Sequence, residues 1–411
     1  MTRCPEGEEG VKTVTSRILP FLLFGLLLLS CTSAPARGGS GAAVAVERVL
    51  VASAEGKVFA LDAGARSRGL PFPAPGEWAF PENGSAGAIY AAPLAQGERV
   101  YVASYQGQLS ALDGATGKAL GDKALFTGEE VVGAPVLEGG VLYLASGSKL
   151  FALNPLTGQP LWPKPFQAGN RIWGSPVVAG ETIYLGSLDH HIYALSTKDG
   201  SLLWEYKAGG AIASSPTLGD GGLFFSAFDG LYALEAETGS LRWHLPSRSW
   251  FWGRPLFWQG KVFAGSQEGR IYGLEARTGK QLWEPVSTGG SFNFAPALGE
   301  GVLLIGSDRV YALDPEGGQL LWARELGAPV AGDLVAVEGV AYVQAKNLTV
   351  FALNVKREGA EVLWSFTLEE RVPPSGPSSN SSNWPLYLVL GAGLLVVFYL
   401  ALRRGSRGAG K

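Results

Sequence analysis

Cysteine is nearly absent from this 411-residue chain: Cys4 and Cys31 are the only two, and both lie near the N-terminus. The body of the chain can therefore hold no disulfide framework, iron–sulfur cluster or cysteine-bound zinc. Histidine is almost as scarce, with His190, His191 and His244, whereas a metal site needs three or four ligands with an arranged second shell. His190-His191 stands where a hairpin turn is expected and reads as a solvated turn pair. Helical periodicity is rare as well, and 58 glycines and 25 prolines suit short strands and tight turns instead. No Lys/Arg cluster interleaved with aromatics occurs in the mildly acidic middle of the chain, so the electrostatic footprint of a nucleic-acid binder is missing. The glycines form no phosphate loop, for no Gly-Lys-Ser/Thr follows one at the required spacing.

What the chain has in abundance is one phrase. Ala194-Leu195-Ser196-Thr197-Lys198-Asp199-Gly200-Ser201-Leu202-Leu203-Trp204 carries alanine first, glycine seventh and tryptophan eleventh. The same frame runs from Ala152 to Trp162, Ala233 to Trp243 and Ala312 to Trp322, and from Gly273 to Trp283 with glycine in the alanine's place. The tryptophans at 162, 204, 243, 283, 322 and 364 are 39 to 42 residues apart, a period that means propeller blades or a solenoid.

Residues 172–207 show how one repeat builds a sheet. Proline opens the apolar strand Ser175–Val178, where its missing N–H is tolerated. Thr182–Ser187, His191–Leu195 and Ser201–Tyr206 follow, each of strand composition and separated by short turns. Four strands in about forty residues make one antiparallel propeller blade. Prolines 93, 135, 176, 216, 255 and 296 mark the same position along residues 43–368, which divide into eight blades. The expected fold class is all-β, an eight-bladed propeller. Blade one lacks the proline and has an insertion before Trp78; blade two has Gly121 in the tryptophan's place; blade eight is expected to put Asp333 at the proline position and has two extra residues before Trp364.

The repeats resemble the tryptophan-docking repeats of the pyrroloquinoline-quinone (PQQ)-type eight-bladed propellers. That resemblance implies that Trp162, Trp204, Trp243, Trp283, Trp322 and Trp364 pack between neighbouring blades. It also implies that the turn is capped by Asp113, Asn154, Glu235, Glu275, Asp314 and Asn354, with Ser196 in blade four. PQQ-dependent dehydrogenases of this fold carry adjacent cysteines, calcium ligands and a catalytic aspartate, and have longer chains; here no adjacent cysteine pair exists. No catalytic, cofactor-binding or metal residue is therefore expected, and PQQ with Ca²⁺ belongs only to the alternative of a quinoprotein dehydrogenase or small-ligand sensor. The BamB-type lipoproteins resemble the chain in their lipobox and their minimal blades. They imply a non-enzymatic scaffold with cell-envelope protein partners.

The fourth-to-first connections and second-to-third hairpins leave a propeller on one face, the usual ligand face. On it fall Trp250, Trp252 and Arg254, with Arg171 and Trp173 from blade four, Phe292 and Asn293 from blade seven, and Tyr90 from blade two. Aromatic residues beside arginine are the composition of interface hot spots. Tyr90, Trp173 and Trp252 also have a purely structural reading, as plugs of the central channel.

Both ends carry membrane signals. Residues 1–30 read as a signal peptide, with an apolar run from Ile18 to Leu29 behind Lys12 and Arg17. Leu28-Leu29-Ser30-Cys31 resembles a lipobox, with Cys31 as the lipidated residue; Glu6, Glu8 and Glu9 are foreign to such a leader, so translation from Val11 stands beside translation from Met1. Residues 31–42 are a linker. Residues 369–383 form a Pro/Ser/Asn-rich tether. Trp384 to Leu402 is an uncharged run of transmembrane length, and the basic tail 403–411, with Arg403 and Arg404, places the C-terminus in the cytoplasm. The propeller is then expected on the extracytoplasmic side of the cytoplasmic membrane.

Overall fold

A computed structural model describes residues 42–45, 48–121 and 125–368. The signal segment, Cys31, the tether 369–383, the expected membrane helix 384–402 and the basic tail lie outside the described residues. Among the described residues no helix is long and apolar enough to cross a membrane.

The described residues form eight four-stranded antiparallel sheets, each made of consecutive strands. The blades span Ala42–Phe80, Leu94–Phe126, Val136–Gln167, Val177–Lys207, Thr217–Pro246, Leu256–Ser287, Ala297–Arg324 and Val335–Thr367. The second and third strands of each blade are covered on both faces by neighbouring blades, so they are apolar runs rather than alternating ones. Gly222–Ala227 is buried at every residue, whereas the outermost strand of blade four, Leu202–Lys207, alternates exposed and half-buried residues. First and second strands meet in two-residue turns such as Asp220-Gly221, with φ of 47° and 69°; two successive positive φ values give the turn type whose twist matches a hairpin. Eight larger apolar clusters result, each shared by two neighbouring blades, so the core is a set of wedges.

The repeated phrase holds those wedges together. Ala194 faces Trp204, Ala233 faces Trp243, Ala312 faces Trp322 and Ala352 faces Trp364 across the third and fourth strands, with a register shift directly after the alanine. Each indole then leans on the following blade. Trp78, Trp162, Trp204, Trp243, Trp283 and Trp322 donate through Nε1 to carbonyls of Gly114, Thr197, Ala236, Ala276, Pro315 and Lys356, at 2.9–3.4 Å. The phrase's glycine is the receiving surface: at Gly200 and Gly239 indole carbons of Trp162 and Trp204 stand 2.7 and 2.6 Å from where a Cβ would sit. Both glycines also have φ of 72°, so any side chain there is strained as well as blocked.

Three expectations are corrected. Asp333 stands one residue earlier than expected: its carboxylate accepts the Ala295 N–H, as the hydroxyls of Ser175 and Ser215 accept the N–H groups of Ala134 and Ser175. Leu334 therefore holds the proline position, directly before the strand Val335–Val337. Glu235 takes a bidentate bond from Arg242, at 2.7 and 2.6 Å, where a turn cap was expected. Asn354 lies inside a lengthened strand, Thr349–Lys356, because the two extra residues of blade eight extend its outer hairpin to the Lys356–Gly359 pair. Asp113, Asn154 and Asp314 do accept turn N–H groups.

The insertion of blade one closes the ring. Asp62 caps a short helix, Ala63–Ser67, by accepting the Ala65 N–H. The helix and the following loop pack against the last strand of blade eight, burying Trp364 beside Val49, Phe59 and Leu61. Arg66 of this helix forms a buried bidentate pair with Glu77 and lies over the ring of Phe366.

Candidate interaction face

At each connection between blades one apolar residue is driven into the wedge. Ile172, Ile212, Phe292 and Val330 are 0–1% exposed, and each donates its N–H to a residue at or just after the second strand of the preceding blade, Gly147, Ser187, Ser266 and Ser307. Phe251 holds the same place between blades five and six. Phe292 is thus packing, against Tyr311 at 5.8 Å, and cannot touch a partner as expected from sequence. Strand-like alternation leaves the residues on either side of Phe251, Trp250 and Trp252, half-buried.

Trp250 and Trp252 gather around a residue that sequence reasoning missed. Phe228, in the hairpin of blade five, stacks on Trp250 at 5.0 Å and meets Trp252 at 4.7 Å; the two indoles are 6.0 Å apart, edge to face. The available signal was an aromatic residue in a hairpin turn, Phe228-Asp229-Gly230, where polar residues are usual. Arg254 follows two residues after Trp252 and is half-buried. The remaining expected residues form local groups of their own. Tyr90 meets Tyr105 edge to face at 5.4 Å. Arg171 pairs with Glu130, Trp173 is half-buried two residues on, and exposed Asn293 accepts from Gln267 at 3.3 Å.

Beside Phe228, the Asp229 carboxylate accepts the Tyr232 hydroxyl at 2.6 Å, and His244 stacks on Tyr232 at 4.0 Å with its Nε2 3.8 Å from Asp229. Blade four repeats the theme, with Tyr193 donating to Asp189 at 2.7 Å while Gly169 and His191 donate their N–H groups. Burial pushes the Asp189 carboxyl up, but the Tyr193 hydroxyl and these N–H groups outweigh it and hold it below the usual aspartate range. Burial, then the bond to Asp189, pushes the Tyr193 hydroxyl well above the ordinary phenol. The expected turn pair is divided: His190 stands in the turn with φ of 75°, whereas His191 opens the third strand of blade four with its Nδ1 3.1 Å from the Asp189 carbonyl oxygen, and His244 lies within the outer strand of blade five. Among the described residues no three His, Cys, Asp or Glu side chains converge as metal ligands.

A family model described as outer membrane protein assembly factor BamB matches residues 28–188, 189–306 and 286–399. Among individual relatives, the outer membrane protein assembly factor BamB of Yersinia pestis is 26% identical over 296 residues, covering 66% of this chain and 65% of that protein. The match thus spans just under two thirds of that relative's length. A quinohemoprotein alcohol dehydrogenase of Comamonas testosteroni is 27% identical over 158 residues, covering 32% of this chain and 22% of that enzyme. Of solved structures, the computationally designed protein Ika8 superposes with a TM-score of 0.66 at 16% identity, covering 78% of this chain and 97% of its own. BamB from Moraxella catarrhalis superposes with 0.57 at 18% identity, covering 67% and 87%; both structural likenesses speak for the fold. The family match covers most of the eight-bladed ring, and the chain belongs to the family of the outer membrane protein assembly factor BamB, built of PQQ-like propeller repeats.

Proposed function

We propose that this protein is an extracytoplasmic, membrane-anchored propeller that serves as a protein-interaction scaffold in the bacterial cell envelope, in assembly or quality control of envelope proteins. The observation that carries this reading is the aromatic group of Phe228, Trp250 and Trp252, three large rings gathered at the mouth of two connections and left half-buried. Such rigid aromatic anchors beside an arginine dominate interface energetics. Tyr90, Arg171, Trp173, Arg254 and Asn293 extend the binding face. The assembly-factor names of the relatives support an envelope partner. The lipobox at Cys31 and the run Trp384 to Leu402, followed by Arg403 and Arg404, support anchoring in the cytoplasmic membrane with the propeller outside.

A photoreactive amino acid placed at Phe228 of the full chain, in its own cells, tests the reading. Adducts with an envelope assembly protein are expected, reduced at least tenfold by Trp252→Ala with Arg254→Ala at unchanged protein level. Undiminished adducts in that variant reject the face. A PQQ-type absorbance with calcium-dependent stabilisation of the purified protein would reject the scaffold in favour of a dehydrogenase.

A further inference from the structure

One junction of the ring departs from the other docked ones. Between blades two and three the indole is missing, because Gly121 stands where the repeat has tryptophan. The receiving half of the socket is nevertheless intact. Gly158 keeps φ of 69°, like its counterparts Gly200 and Gly239. Where those two glycines meet an indole within 2.7 Å of a would-be Cβ, Gly158 meets, among the described residues, nothing nearer than Leu125 at 3.6 Å. The acceptor is also in place. The Pro155 carbonyl, counterpart of the Ala236 carbonyl, accepts the Tyr101 hydroxyl at 3.3 Å. At Ala236 one oxygen takes both the Tyr184 hydroxyl, at 3.0 Å, and the Trp204 indole, at 3.2 Å; a carbonyl has two lone pairs to offer.

A cavity of about 200 Å³ opens at this place, lined by Leu109, Leu120, Leu125, Leu142 and Leu156 around Pro155 and Gly158. Its volume lies below the roughly 300–1,000 Å³ of pockets that enclose drug-sized ligands, and suits a single large side chain. Leu120 and Leu156, on its rim, are 45% and 67% exposed, so apolar surface flanks the opening.

We propose that this cavity is a docking socket for one tryptophan side chain carried on an extended segment of a protein partner. The indole would enter between blades two and three, donate its N–H to the Pro155 carbonyl, and cover Leu120 and Leu156 with its flanking residues. Tryptophan fits because five sockets of the same ring hold an indole with its N–H on the carbonyl matching that of Pro155, and a sixth holds one on Lys356, one residue further along. The socket belongs to the outer strands and the third-to-fourth turns rather than to the aromatic face of blades five and six, so it stands or falls independently of that face.

Titrating the full chain with N-acetyl-tryptophanamide, followed through the methyl resonances of Leu120, Leu125 and Leu156, tests the proposal. Saturable shifts are expected at those methyls. They are lost in Gly121→Trp, which supplies the indole from within, and weakened in Leu156→Asp, an exposed change that leaves the ring folded. The 1-methyl analogue, which has no N–H to donate, is expected to bind about fivefold more weakly. No saturable shift, or binding that both variants leave unchanged, overturns the proposal, and equal affinity of the 1-methyl analogue overturns the bond to Pro155. Binding that appears only after Trp384→Ala would assign the socket to the chain's own tryptophan and overturn its assignment to a partner.

Discussion

Replacing Arg66 by methionine is expected to loosen the seam between the first and last blades. Arg66 Nε and Nη2 each stand 2.7 Å from a Glu77 carboxylate oxygen, with 4% and 0% of the two side chains exposed. Glu77 also accepts the Asp62 and Ala74 N–H groups at 2.9 Å, and the guanidinium lies 4.8 Å from the centre of the Phe366 ring in blade eight. Methionine keeps much of the aliphatic stem but leaves a buried carboxylate without its cation, and breaking such a pair costs about 3–5 kcal/mol. Glu77→Leu strands the arginine and also deprives two backbone donors of their acceptor, at about 1–3 kcal/mol each. The double variant Arg66→Met/Glu77→Leu removes both charges, so it is expected to cost less than the two singles added together, yet to retain about 2–6 kcal/mol from those two N–H groups. Urea unfolding measures the totals, and hydrogen exchange locates them. Faster exchange is expected in the helix Ala63–Ser67 and the strand Gly359–Thr367, with blades three to six unchanged. Arg66→Met costing under about 1 kcal/mol, or faster exchange spread evenly round the ring, would refute the reasoning.

Three further variants probe the repeat. Tyr193→Phe removes the 2.7 Å bond to Asp189, a hydrogen bond to a charged group worth about 1.5–3 kcal/mol. Because Asp189 titrates below its ordinary value in the folded chain, the stability it gains is present above the unfolded aspartate pKa, near 3.9, and disappears as pH falls through the lower folded one. The gap between wild type and variant in urea midpoint is therefore expected to be full at neutral pH and to close in acid; a gap that widens in acid would contradict this. Gly200→Ala is expected to destabilise more than Gly158→Ala. Both strain a left-handed φ, but only the first drives a Cβ into Trp162; equal melting temperatures would show that the blade-two junction is filled.

Much of the ring was legible because the information is periodic. A phrase recurring every forty residues carries strand composition, turn chemistry and the docking tryptophan together, so eight blades follow from counting. The third strand of blade four, read as His191–Leu195 and found at His191–Ser196, was legible because both its faces are buried, which makes it a continuous apolar run. What depended on contacts between units was less legible. Asp333 looked like a substitute for proline, but its carboxylate caps the Ala295 N–H of the neighbouring blade, a partner 38 residues away. The insertion of blade one read as an irregularity, because nothing in residues 63–77 says that Arg66 would lie over Phe366.

The interaction face divides in the same way. Trp250, Phe251, Trp252 and Phe292 are equally aromatic in sequence, and alternation along a short extended connection decides which of them fills a wedge. Phe251 and Phe292 are buried at 1% and 0%, while Trp250 and Trp252 stay half-buried. Phe228, 22 residues before Trp250, joined them only through the packing of two neighbouring blades.

By itself, then, the sequence determined the unit, its number and its docking residue, since these are local and recur from blade to blade. Tertiary structure alone decided how the ring is sealed and what its one missing indole means. Sealing joins residues as far apart in the chain as Arg66 and Phe366. Among the described residues, the space beside Gly158 is left because blade three still presents a glycine and a carbonyl to a tryptophan that blade two lacks.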